Sequence, residues 1–184
     1  MNESRFNRNM HIRESIEIFV ILSVAASILF VADYLDDSAK PWLTWLVVVV
    51  AFAKTIYYFA ESLWHLLKAA ACDLPYHRFL TVMGYNMAEV TISFAIDFYC
   101  LHRLDPGSFS GIPPDLVGPE LFFQCFYFSV LNFSFFGYGD IIPAHVPSKI
   151  VMLLEVITAF TTVIFLISDF VSMKDSMRNR NQPP

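Results

Sequence analysis

Phe133-Ser-Phe-Phe-Gly-Tyr-Gly-Asp-Ile-Ile-Pro143 sets two glycines and an aspartate inside one of the most apolar parts of the chain. Glycine takes positive φ without steric cost, so Gly137-Tyr138-Gly139 can alternate its backbone and aim successive carbonyls to one side. Irregular backbone at membrane depth is tolerated only where it is buried in protein or faces water. Carbonyls that converge on an axis replace the water shell of a desolvated cation. One chain supplies one wall of such a path, so a pore needs several copies about an axis. The flanking sequence decides whether this stretch lies at that depth.

Of the 184 residues, 56% are hydrophobic and 19 are phenylalanine, and the mean hydropathy is +0.52. Soluble domains are usually less than half apolar, so the composition is that of a membrane protein. The net charge of −5 comes with no basic patch, and no nucleic-acid partner is expected. Cys72, Cys100 and Cys125 lack metal-ligand spacing; Cys72 and Cys125 read as packing residues, and Cys100 as the one with scope for reactivity. The polar segment Met1 to Glu14 is followed by an apolar run without a small-residue cleavage site, which reads as a retained helix.

Four segments, Ser15–Tyr34, Trp42–Leu67, Phe79–Leu101 and Pro147–Met173, approach or exceed the roughly 20 residues that cross a bilayer. A fifth, Leu121–Phe136, would rise only about 24 Å as a helix, which fits a re-entrant half-helix. Arg5, Arg8 and Arg13 precede the first segment; Lys68 and Arg78 lie between the second and third; Lys174, Arg178 and Arg180 follow the last. The loop holding Asp33, Asp36 and Asp37 is acidic. The positive-inside rule then puts both termini in the cytoplasm of a multi-pass plasma-membrane protein, and the Pro- and Gly-rich connection Leu104–Pro119 outside.

Ser134-Phe-Phe-Gly-Tyr-Gly-Asp140 resembles the selectivity filter of tetrameric potassium channels, usually Thr-Thr-Val-Gly-Tyr-Gly-Asp. Phe126-Tyr-Phe-Ser-Val130 resembles the aromatic pore helix of that family, Asp140-Ile-Ile-Pro143 the filter exit, and Lys149-Ile-Val-Met-Leu-Leu-Glu155 the start of the inner helix of bacterial pore-only members. The resemblance covers Phe79 to Met173. It implies an all-α membrane protein with four transmembrane helices per subunit, and a re-entrant pore helix and filter between helices three and four. It also implies a homotetramer surrounded by lipid and a passive flow of K+, with no cofactor beyond the permeant ion and no enzymatic activity. Residues 1–78 would form a peripheral unit, 79–173 the pore domain, and 174–184 a short cytoplasmic tail carrying no gating domain.

By the same resemblance the filter comprises Phe135, Phe136, Gly137, Tyr138, Gly139 and Asp140, with K+ held by the carbonyls of Phe136, Gly137 and Tyr138. Phe135 stands where the family has the threonine of the innermost ion site, and its ring offers no oxygen. The expectation is a filter with outer sites intact and the innermost altered, with reduced conductance or closure at rest. Leu131 stands where many bacterial relatives place a glutamate bonded to the filter aspartate, leaving Asp140 to Asn132 or water. Tyr127 and Phe128 occupy the belt that braces the filter tyrosine. Cavity-facing candidates on the last helix are Thr158, Ala159, Thr161 and Thr162, each hydroxyl having the alternative of bonding back to its own helix.

Charges at membrane depth cost about 2.5–3.5 kcal/mol at mid-helix and therefore pair or face water. Lys54 and Glu89 reach similar depth on neighbouring helices, and an ion pair is expected between them. Asp97 falls near the outer face and Asp169 near the inner mouth. The first two helices carry no arginine repeat, so no voltage sensor is expected. A membrane enzyme or carrier would need a nucleophile–base set, a metal cluster or two broken helices, and His65, His77, His102 and His145 are scattered. The alternative function is a non-conducting or regulatory membrane protein that keeps the pore fold.

Overall fold

The computed structural model describes the backbone at residues 27, 40–69, 76–137 and 139–180, with side chains over 41–60, 84–137 and 139–168. Four helices lie within these residues: α1 (Lys40–Ala69), α2 (Tyr76–Leu104), α3 (Gly118–Phe133) and α4 (Val146–Arg180). The expected span Ser15–Tyr34 lies outside the described residues except for Ser27, as do Tyr138 and the side chain of Asp169. The expected tail begins as a continuation of α4, which runs past Met173 to Arg180.

Proline opens both long apolar helices, as Pro41 in α1 and Pro147 in α4. Its fixed φ suits the first turn, where its missing N–H is not needed. Pro41–Ala60 and Val146–Ser168 are long and apolar enough to cross a membrane by length and composition. The expected span Phe79–Leu101 falls within α2, which has 29 residues but carries Glu89, Asp97, His102 and Arg103.

α2 runs through the middle of the packing. Its Val90, Phe94, Phe98 and Leu101 are buried among Leu43, Val47 and Ala51 of α1, Leu121 and Cys125 of α3, and Val151 of α4. On α1 the buried residues follow helical spacing, while Trp42, Trp45, Phe52, Ile56 and Phe59 on the far side are exposed. A helix apolar all round belongs in a large core or in lipid.

α3 has 16 residues, with Pro119 and Glu120 in its first turn. It starts earlier than the expected Leu121 because Gly118-Pro119 supplies a ready first turn. It also stops short of the expected Phe136. Phe136 N–H bonds to the Leu131 carbonyl at 3.0 Å and Phe135 N–H to the Asn132 carbonyl at 3.1 Å. That crossed pair is the Schellman ending of a helix, which needs a left-handed residue at its turn. Phe135 is that residue, with φ 58°.

A two-residue antiparallel ladder joins β1 (Phe109–Ser110) to β2 (Ile142–Pro143) and is the one exception to an all-helical architecture among the described residues. It ties the α2–α3 connection to the stretch after Asp140. The Ser108 carbonyl accepts from Ala144 N–H at 2.9 Å and from Ser148 Oγ at 2.8 Å. Beneath the ladder, Phe98 lies 4.9 Å from Phe128 and 5.6 Å from Phe109 between ring centroids, both edge-on, the arrangement aromatic quadrupoles favour.

Candidate functional site

The segment that follows α3 is irregular and open. Phe135 is 48% and Phe136 70% exposed, and Gly137 has φ 60°. Gly139 is set close over α3: a Cβ there would stand 3.1 Å from Leu131 Cδ1. Leu131 therefore lies behind this segment, as its place in the sequence requires. Asp140 is exposed, and Ile141 is buried and anchors the chain before β2. The C-terminal end of α3 faces this segment, so the negative end of its helix dipole is directed where a cation would be stabilised.

Phe135 does not stand free. Its ring meets Phe160 of α4 edge-on, with centroids 6.2 Å apart. The innermost expected site is thus occupied by a side chain leaning on the last helix, while its backbone serves to terminate α3.

Four assignments from the sequence change. Phe128 is buried in the Phe98–Phe109 cluster and packs α3 onto α2; Tyr127, the residue before it, is on the open side. Asn132 is directed to Glu155, its Nδ2 donating to Oε2 at 3.0 Å, and so serves α4 rather than Asp140. Lys54 forms its ion pair with Asp97, two turns along α2 from Glu89, at 2.6 Å. Lys54 also donates to Ser93 Oγ at 2.8 Å, and its ammonium lies 5.4 Å from the Phe94 ring centroid. Positions 89, 93 and 97 share one helix face, and Lys54 pairs with the later carboxylate.

The fourth change concerns α4. Thr158, Ala159 and Thr162 are buried within the single chain, which removes them from any cavity between copies. The Thr158 hydroxyl bonds back to the Leu154 carbonyl and that of Thr162 to the Thr158 carbonyl. Thr161 also bonds back, to Ile157, but from a more open position. The open face of α4 is instead Leu153, Ile157, Phe160, Ile164 and Ile167.

Glu155 is the residue that reading the sequence does not connect to the site. It is fully buried at 0% exposure and accepts from Asn132 and from the Ser129 hydroxyl. Ser129 Oγ also lies 2.8 Å from the Thr91 carbonyl of α2. The available signal was Ser129 and Asn132 themselves, two polar residues one turn apart in the mostly apolar C-terminal half of α3.

One comparison with known proteins falls on the same segment. A family model described as "Ion channel" matches residues 108–174, from the start of the ladder to the far part of α4. A curated relative, two-pore potassium channel 4 of Arabidopsis thaliana, is 31% identical over 93 residues. That match covers 50% of this chain and 30% of the relative. No solved structure matches the chain. A short apolar helix, a glycine-bearing open segment and a long apolar helix thus coincide with a recognised ion-channel unit in a membrane-protein sequence. Residues 108–174 thus match an ion-channel family model, and half of the chain is similar to part of a potassium channel.

Proposed function

We propose that the chain is one subunit of a homotetrameric, potassium-selective channel that conducts K+ passively across the plasma membrane, with both termini cytoplasmic. The observation that carries this reading is the sequence of α3, open segment and α4. At 16 residues α3 rises about 24 Å, less than the roughly 30 Å hydrocarbon core, so it enters and leaves on one side as a re-entrant pore helix. Carbonyls of Phe136, Gly137 and Tyr138 from four copies then replace the hydration of the ion. The pore domain is 79–173, with 1–78 a peripheral unit. The outward face of α1, from Trp42 to Phe59, meets lipid. The exposed apolar row of α4, from Leu153 to Ile167, supports association, because exposed apolar stretches of this extent mark interaction surfaces.

One observation favours a second reading, a non-conducting assembly that keeps the pore fold: the rings of Phe135, at the end of α3, and Phe160 of α4 meet edge-on. Purified protein in liposomes separates the two. Under a K+ gradient the channel reading expects cation flux that persists when Na+ cannot substitute. Absence of flux from a protein shown to be tetrameric, and from its Phe135→Thr variant, would overturn it.

A further inference from the structure

Resting on the channel reading, the geometry points to Glu155 as a positioning residue for the filter, acting from α4 through Ser129 and Asn132 of α3. The carboxylate belongs to α4 and reaches the C-terminal turns of α3.

The connections are specific. Glu155 receives Asn132 Nδ2 on one oxygen and Ser129 Oγ on the other. Both donors sit in the last turns of α3, one turn apart. The Asn132 carbonyl in turn accepts Phe135 N–H, and the neighbouring Leu131 carbonyl accepts Phe136 N–H. The Leu131 side chain lies directly behind Gly139. A single side chain of α4 thus holds the residues whose carbonyls define the start of the filter segment. Ser129 Oγ also faces the Thr91 carbonyl of α2, its one proton shared between that carbonyl and Glu155, so three helices meet at this node. Buried polar groups are costly to leave unpaired, so the node resists separation of its members. A displacement of α4 that draws Glu155 away therefore reaches Phe135 and Phe136 directly, and the filter geometry becomes a function of the position of α4.

Amide hydrogen exchange on the full chain, purified in nanodiscs, tests this with Glu155→Gln, Glu155→Leu and Asn132→Leu. Glutamine donates to Ser129 Oγ and accepts from Asn132 Nδ2, so exchange over residues 134–141 should stay within about twofold of wild type. Glu155→Leu removes both partners, and exchange there should accelerate about tenfold or more, with α1 unchanged as internal reference. Asn132→Leu should accelerate the same residues to a smaller extent, and it decides the matter if Glu155→Leu does not assemble. Wild-type exchange at 134–141 in the leucine variants, or equal acceleration in every helix, overturns the proposal. Reversal potentials add a functional reading: the K+ over Na+ permeability ratio should fall in both leucine variants and be retained in Glu155→Gln. A wild-type protein without current sinks the channel reading but leaves the exchange result to decide the role of Glu155. Current with unchanged exchange does the reverse.

Discussion

Lys54 Nζ of α1 lies 2.6 Å from Asp97 Oδ2 of α2, and both side chains are largely buried. This pair is a buried polar tie between α1 and α2. Removing one partner of a buried pair leaves an uncompensated charge and costs about 3–5 kcal/mol, whereas replacing both by apolar residues is neutral or favourable. Lys54→Met alone should lower the melting temperature in detergent sharply. Lys54→Met with Asp97→Leu should return to the wild-type value or exceed it, and simple additivity of the two losses would show that the pair is not coupled.

Phe135 holds a left-handed backbone with φ 58° at the turn of a Schellman ending, where glycine is the usual residue. The left-handed region costs a non-glycine residue about 1–2 kcal/mol. Phe135→Gly should therefore stabilise the end of α3 by up to roughly that amount, less the loss of its contact with Phe160. Single-channel recording of Phe135→Thr should show a larger current if the ring narrows the inner end of the filter. Equal currents would remove any obstructing role.

Two glycines should respond in opposite directions. At Gly111, with φ 96°, a Cβ would stand 1.9 Å from the Asp140 carbonyl oxygen, a collision with backbone. Gly111→Ala should destabilise by more than about 2 kcal/mol and disturb the ladder. At Gly84, inside α2, a Cβ meets nothing within 4 Å, and Gly84→Ala should stabilise by about 0.5–1 kcal/mol. Thermal unfolding of the two variants side by side checks both signs.

The rotation of α4 is open to cysteine substitution in a background lacking Cys72, Cys100 and Cys125. Ile157→Cys and Phe160→Cys should react with a small thiol reagent or cross-link between copies. Thr158→Cys and Thr162→Cys should do neither, because those positions are buried within one chain. Labelling at 158 with protection at 160 would reverse the assignment of the two faces.

The long helices and the short one were legible because length and apolar content alone set them, and Gly137 and Gly139 mark where α3 cannot continue. The rotation of α4 was not. Its apolar residues surround the helix, so no periodic stripe points to one side, and the threonines at 158, 161 and 162 looked like a polar lining when their hydroxyls are satisfied by their own helix. The partner of Lys54 depended on how α1 packs against α2, which residue counting does not register. Glu155 reads in isolation as a costly charge in a span, and only the packing brings it to Ser129 and Asn132. The ladder of two residues per strand is too short to leave an alternating pattern.

That ladder has a mechanical consequence. The carbonyl of Ser108 takes hydrogen bonds from both Ala144 and Ser148, and Gly111 presses against the backbone of Asp140. The stretch from Asp140 to Ser148 is therefore moored to the α2–α3 loop at several points. A ligand that grips Pro113 to Leu116 would reach Asp140 through that loop.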